Sequence, residues 1–436
     1  MIENTEYINH LTEITRVNNV VVKDNIINEK GVLVAKANTI MDQQKLAILS
    51  QHKLATPLEN SISLEKNISS LISIRFFEKR KSCLEISKIM LSSGLFQDNN
   101  NPFKILTRLK TVDQKLTVMF IRFPQIFDRI IFMSIITLQI CRELKLEPKH
   151  TEQVFVASLL ADTGLLHLPQ ALIEKTERYT DAENNMMQSH PVIAKYIADI
   201  ACPSLKVISR AVLEHHERSD GFGYPFAKSE DKLGLEGQII AMADQTTGLY
   251  SKLVVKEKYS WQAVADVIQL QTSANTQAIR NAILRILKKM EGRTKNRYSI
   301  DESPALIKKL TIKYEKLKEW FEVLESILTL HKSELNESKN FRPFALLHQL
   351  DRLIANSGLL SEVQFEWLSC LELPPSTSDM LDIEDYELKL DEVEYQCFFV
   401  MRKLRESREE LAQRLNSEEL ATHYDEELTN IITRDS

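Results

Sequence analysis

Glycine and cysteine are scarce in this chain, basic charge is not in excess, and no apolar run is long. There are ten glycines in 436 residues, so any segment that concentrates them calls for a reason. The five cysteines, at 83, 141, 202, 370 and 397, include no C-x-x-C pair. An odd, dispersed set reads as reduced thiols in a cytoplasm, acting as small buried hydrophobes. The net charge of −6 argues against a general binder of DNA or of anionic membrane. The most apolar run, Ile130 to Cys141, is interrupted by Ser134, Thr137 and Gln139 and is too short to span a bilayer, so no membrane insertion is expected. No charged segment with an apolar core opens the chain, so no secretory signal is expected either. What remains is ordinary globular composition, 43% apolar and 27% charged, with length for two or three domains.

Two of the ten glycines fall in one stretch, Glu214 to Pro225, which reads E-H-H-E-R-S-D-G-F-G-Y-P. Imidazoles beside carboxylates suit a divalent transition metal better than Mg²⁺ or Ca²⁺, which prefer oxygen shells. A histidine pair at a helix end also has a purely structural use, because imidazoles interact well with the last carbonyls. Consecutive helical side chains point about 100° apart, so His215 and His216 are expected to serve two ions, or an ion and a substrate, rather than one ion from the same side. The Asp220, Gly221, Gly223, Tyr224, Pro225 loop is expected to need positive backbone dihedrals and a rigid exit.

The order H-H-E-x-x-D-G-x-G-Y-P resembles the signature of the HD-GYP family, bacterial phosphodiesterases of cyclic di-GMP. The resemblance covers about residues 125–270. Ala161-Asp162-Thr163-Gly164 with Leu168-Pro169 is similar to the family's His-Asp-x-Gly-Lys-x-x-Ile-Pro segment, Met187 to Pro191 to its M-x-x-H-P segment, and Ala241 to Asp244 to its closing helix. It implies an all-α HD-type bundle in which Asp162, His190, His215, His216 and Asp244 converge as metal ligands, with Asp162 activating a metal-bound water if the site is active. Four family positions are altered. Arg129 stands where a ligand is implied, and a guanidinium has no lone pair to offer. Ala161 replaces the histidine of the His-Asp pair, while Leu165 and Gln238 replace cationic groups. One divalent transition metal (Fe, Mn, Zn or Ni) is expected at most, or none. His167 is expected on a surface loop. His10, His52, His150, His331, His348 and His423 are read as ordinary histidines.

The expected fold is mainly α, with a small N-terminal α+β module and a helical C-terminal region. Four segments are expected: a β-hairpin and helix module at 1–60, a helical connector at 61–124, the HD-GYP-like domain at 125–290, and C-terminal helices at 291–436. In the connector, Lys79-Arg80-Lys81 reads as a solvated face, and Asp98 to Pro102 as a break. Glu291 to Thr294 reads as a boundary. Leu310, Tyr314, Leu317, Phe321, Leu324 and Leu328 form a seam nearly three heptads long. An acidic stretch, Asp379 to Glu394, is expected to precede a long helix bearing Val393, Cys397, Val400, Leu404 and Leu411, which pairs with the seam or with a second copy as a homodimer. The end after Leu415 is expected to fray.

Two function classes follow. In the favoured one the protein is a degenerate phosphodiesterase that binds cyclic di-GMP or a related nucleotide, or contacts a partner such as a diguanylate cyclase domain through the G-Y-P loop. In the alternative it is an active metal-dependent enzyme. A pure scaffold ranks last, because disuse would erode the loop as well as the ligands.

Overall fold

The computed structural model describes residues 5–68, 102–271, 274–290, 296–330, 342–407, 409, 412–413 and 418–433. Lys79-Arg80-Lys81, the start of the break at Asp98, Cys83, the Glu291 to Thr294 boundary, His331 and Leu411 lie outside the described residues. Among the described residues the chain is mainly α with few strands. It folds as two compact units, residues 1–248 with 281–289, and residues 249–280 with 290–436.

The first unit opens with α1 (Thr5–Ile14), whose buried Tyr7, Ile8, His10, Leu11 and Ile14 recur at helical spacing. Strand β1 (Val20–Val22) lies between β4 (Ile40–Met41) and β5 (Ile62–Leu64), antiparallel to both, with Val20 opposite Met41 and Leu64. Strands β2 (Ile26–Ile27) and β3 (Leu33–Ala35) form a separate hairpin. Its turn is closed by Asn28, whose side chain accepts from the Lys30 and Val32 amides, and by Gly31 at φ +78°. Asp42 caps α2 (Gln43–Leu49) by accepting from the Lys45 amide. After α3 (Leu58–Ser61), β5 corrects the expectation that 61 begins a helical connector. Ile62 and Leu64 are buried and Ser63 between them is half-buried, a period of two that fits a strand.

The bundle is built from α4 (Lys110–Arg122), α5 (Pro124–Glu143) and α6 (Pro148–Leu160), the last two opened by a proline where no amide donor is needed. Helix α5 runs 20 residues and is long and apolar enough to cross a membrane by length and composition, which the shorter run in the sequence did not indicate; 72% of its most apolar window is buried inside the fold. A 3-10 turn (Thr163–His167), α7 (Gln170–Ile173), α8 (Asp181–Met187), α9 (His190–Ala201), α10 (Lys206–Glu214) and α11 (Leu235–Leu249) follow. Helix α5 packs on α6, α6 on α10, α10 on α9, and α9 on the 3-10 turn. Packing of α4 against α1, α5 and α9 makes it part of the bundle rather than a link to it.

The second unit contains α12 (Trp261–Leu270) and part of α13 (Gln277–Leu287), then α14 (Ser303–Leu330), α15 (Arg342–Ser357), α16 (Glu362–Ser369), α17 (Thr377–Glu406) and α18 (Glu418–Thr433). The seam residues of α14 are buried and the helix packs on α17 and α18, so the seam is occupied within the chain. Two expectations are corrected. The acidic stretch is itself helical, begun by a capping box between Ser376 and Asp379. Its acids have partners: buried Glu384 accepts from the Arg297 and Tyr298 amides, Glu387 from Lys309 at 2.7 Å, and Glu394 from Lys313 and Lys316. The end after Leu415 forms α18, which buries Leu428, Ile431 and Ile432.

Candidate metal centre

Five segments of the first unit bring the candidate residues together. Arg129 projects from α5, Asp162 enters the 3-10 turn after α6, and His190 opens α9. His215 and His216 follow α10, and Asp244 lies on α11. Ligand atoms of Asp162, His190, His215 and His216 all lie within 4.8 Å of one another. This corrects the expectation for the histidine pair. Helix α10 ends at Glu214 and His215 is already its C-cap, so the 100° helical spacing does not govern where His216 points. Their ring centroids are 4.1 Å apart.

The tautomers follow from the backbone. His190 Nδ1 lies 2.8 Å from the Met187 carbonyl and His215 Nδ1 2.6 Å from that of Val212, so each Nδ1 carries the proton and donates it. Each Nε2 then presents a lone pair, and the two stand 3.3 Å apart. Asp162 Oδ1 is 3.6 Å from His190 Nε2 and 3.8 Å from His215 Nε2. Two lone pairs facing each other beside a carboxylate repel unless a cation lies between them. Two imidazole nitrogens and a carboxylate oxygen converging in this way make a donor set that fits a divalent metal ion.

On the other side of the site a guanidinium occupies the carboxylates. Arg129 donates from Nη1 to Asp162 Oδ2 at 2.8 Å and from Nη2 to Asp244 Oδ1. Asp244 is absent from the 4.8 Å set, and its nearer histidine contact is His216 Nδ1 at 3.8 Å. Ala161 is fully buried as the C-cap of α6, Leu165 is buried in the 3-10 turn, and Gln238 is buried on α11. Burial opposes ionisation of Asp162, but the Arg129 guanidinium outweighs it and holds the carboxyl far below its usual range. Burial, with Asp162 adding to it, pushes Asp244 up against the pull of Arg129. The two carboxyls share one cation, and Asp162 is the one kept ionised.

Burial pulls His216 well below its usual value and His190 down to about 4. His10, remote on α1, is also lowered to about 4, by burial and then by Arg122 and Lys115. The folded-state values of His10 and His190 lie below the unfolded value of about 6.5, so the unfolded chain binds more protons between pH 6.5 and 4. Stability is therefore expected to fall as pH drops through that window, by up to about 3 kcal/mol per histidine. Denaturant midpoints at pH 7, 5.5 and 4.5 check this, and a flat profile would contradict it.

The loop closes over this cluster. Gly221 has φ +76°, as expected, but Gly223 does not need a positive φ. A Cβ on Gly223 would stand 2.4 Å from the Arg218 amide nitrogen and 2.5 Å from the His216 carbonyl oxygen, so close approach requires the glycine there. Asp220 accepts from Arg218 and from the Phe222 amide. The Tyr224 ring stacks on His216 with centroids 4.7 Å apart, and the Tyr224–Pro225 bond is cis.

Two carboxylates of the same stretch have roles that sequence reasoning missed. Glu217 is buried and accepts from the Phe226 and Lys228 amides at 2.7 and 2.9 Å, which ties the end of the loop to its beginning. Glu214 is buried and accepts from Arg210, Lys228 and the Gly234 amide. An acid directly beside the histidine pair and the glycine loop was the available signal. His167 overturns the surface expectation. It is buried, with Nε2 3.0 Å from Lys115 Nζ and 3.6 Å from Glu59 Oε1, and it is not in the 4.8 Å set.

The sequence profile of the HD domain family matches residues 104–275. The chain is 30% identical over 129 residues to a cyclic di-GMP phosphodiesterase of Vibrio cholerae, covering 28% of this chain and 26% of that protein. It is 29% identical over 140 residues to the cyclic di-GMP phosphodiesterase response regulator RpfG of Xanthomonas campestris, covering 32% and 37%. The chain thus spans well under half the length of these relatives. A solved HDG"Y"P protein from Bdellovibrio bacteriovorus aligns with a TM-score of 0.35 and 16% identity, over 62% of this chain and 94% of that one. The chain carries an HD domain, and that domain bears the H-H-E-x-x-D-G-x-G-Y-P residues of the HD-GYP type.

Proposed function

We propose that this is an HD-GYP protein of cyclic di-GMP signalling whose site is degenerate, acting by binding the nucleotide or a protein partner, with hydrolysis weak or absent. The observation that carries this is Arg129, whose guanidinium joins Asp162 to Asp244 where the family resemblance implies a ligand. Asp162, His190, His215 and His216 would hold one Fe, Mn, Zn or Ni ion. Such an ion supplies a water of lowered pKa and a Lewis acid, whereas phosphodiester cleavage by two ions clamps both attacking and leaving oxygens. The residues themselves do the rest: Arg129 keeps Asp162 ionised, the backbone carbonyls orient the imidazoles, and Tyr224 covers His216. If the site is active, Asp162 is the residue that would help activate water.

Purified protein loaded with Mn²⁺ or Fe²⁺ under anaerobic conditions is expected to contain at most one tightly held ion and to turn over cyclic di-GMP slowly or not at all. Elemental analysis and product chromatography measure both. Two ions with brisk hydrolysis would establish the alternative, an active phosphodiesterase. Tyr224→Ala is expected to weaken nucleotide or partner binding about tenfold or more while changing stability by less than about 1 kcal/mol, because loop residues on a rigid scaffold carry recognition more than stability. Titration calorimetry alongside denaturation checks it, and unchanged affinity for cyclic di-GMP and for a diguanylate cyclase domain would remove the loop from the reading.

A cytoplasmic location belongs to the same proposal. A homodimer through the C-terminal helices would have to use a face other than the occupied seam, such as that of Tyr395 and Phe398 on α17, which are 60% and 40% exposed.

A further inference from the structure

A second charged cluster lies inside the first unit, and the function above does not use it. Lys115 of α4 is fully buried, with Nζ 2.8 Å from Glu59 Oε1 of α3, 3.0 Å from His167 Nε2, and 3.1 Å from the centre of the Tyr7 ring of α1. The imidazole of His167 stacks on the same Tyr7 ring, with centroids 5.1 Å apart, and the Tyr7 hydroxyl accepts from Gln114. Fully buried charges persist only when paired and hydrogen-bonded, and such clusters hold their members in one arrangement.

The position of His167 gives the cluster its consequence. His167 ends the 3-10 turn that Asp162 begins, and that turn is internally bonded from the Leu165 amide to the Asp162 carbonyl and from the Leu168 amide to the Leu165 carbonyl. Gly164, in its middle, lies so close to α9 that a Cβ would meet the His190 carbonyl oxygen at 2.1 Å. The turn is therefore wedged between α9, which carries His190, and the cluster, which holds its far end. One turn of backbone cannot shift at His167 without moving at Asp162.

We propose that Glu59, Lys115 and His167 are positioning residues for Asp162, so that the segment containing residues 5–68 sets the geometry of the metal centre. The proposal deepens the function proposed above and rests on its placing of Asp162 among the ligands. None of the three side chains acts on substrate; they act through the turn.

The full chain, labelled with ¹⁵N-histidine, provides the test. His167→Leu is expected to remain folded by circular dichroism, yet to shift the Nε2 resonances of His190 and His215 and to weaken Co²⁺ binding tenfold or more, the range that loss of an orienting partner produces. His167→Gln, which keeps a hydrogen-bonding group of similar reach toward Lys115, should retain both the resonances and the affinity. The double variant Glu59→Leu, Lys115→Met replaces the ion pair with apolar groups and should behave as His167→Leu does. It takes over the test if His167→Leu does not fold. A folded variant with the imidazole resonances and Co²⁺ affinity of the unmodified chain would overturn the proposal. If the unmodified chain takes up no Co²⁺, the metal reading fails by itself, and the resonances alone decide whether the cluster positions Asp162.

Discussion

Arg129→Met is expected to destabilise the protein by about 3 kcal/mol in metal-free buffer and to regain most of that loss when Mn²⁺ is added. The carboxylates of Asp162 and Asp244 are 3% and 12% exposed, and both lose their shared cation in this variant. Removing one partner of a buried pair leaves uncompensated charge, at a cost of about 3–5 kcal/mol. The lower end applies because the guanidinium is 36% exposed and partly screened. A proton on Asp244 or a divalent ion can take its place, and only the ion makes stability depend on Mn²⁺ concentration. Denaturation midpoints with and without Mn²⁺ measure the effect. A variant as stable as the unmodified chain and indifferent to Mn²⁺ would show that the two carboxylates do not need the guanidinium.

The double variant Ala161→His, Arg129→His is expected to raise bound transition metal from at most one ion per chain to two, with hydrolysis of cyclic di-GMP appearing above that of the unmodified chain. It returns imidazoles to the two positions where the resemblance implies ligands, and it frees Asp162 Oδ2 and Asp244 Oδ1 from Arg129. Ala161 is wholly enclosed, so the larger side chain is expected to cost about 1–3 kcal/mol, and stability must be followed alongside. Recovery should be incomplete, because Leu165 and Gln238 still stand where cationic groups are implied. The single Ala161→His variant, with Arg129 still on both carboxylates, should remain at one ion or none. Metal content unchanged in a folded double variant would mean that the second site is missing for some reason other than these two residues.

Much of the site was legible because its parts are local. The H-H-E-x-x-D-G-x-G-Y-P order put His215, His216 and the loop within twelve residues of one another, and the segments around Asp162, His190 and Asp244 were readable one at a time. Convergence of the two adjacent histidines was misread because the helix was assumed to include both, whereas it stops before the first. The Glu59, Lys115 and His167 cluster left no trace in the sequence, since its members are about fifty residues apart and each alone looks like a solvent-facing residue. Strand β5 was missed for a related reason: its three residues acquire meaning only beside β1, some forty positions earlier. In the C-terminal region the apolar period located the helices well, but the acidic stretch was placed ahead of the long helix when it is part of it, its acids matched to lysines on another helix.

Those matched charges also fix a direction. Lys309 meets Glu387, Lys313 meets Asp391 and Lys316 meets Glu394, each acid lying 78 positions after its lysine. A constant offset means that α14 and α17 run the same way, not as the up-and-down neighbours that a short loop would give. The chain must therefore travel back along α14, about 40 Å for its 28 residues, before α17 can begin. An extra residue in the surface turn at 358–361 leaves this register alone. One inserted within α14 between Lys309 and Lys313 rotates the remaining ladder by about 100° and parts its last two rungs together.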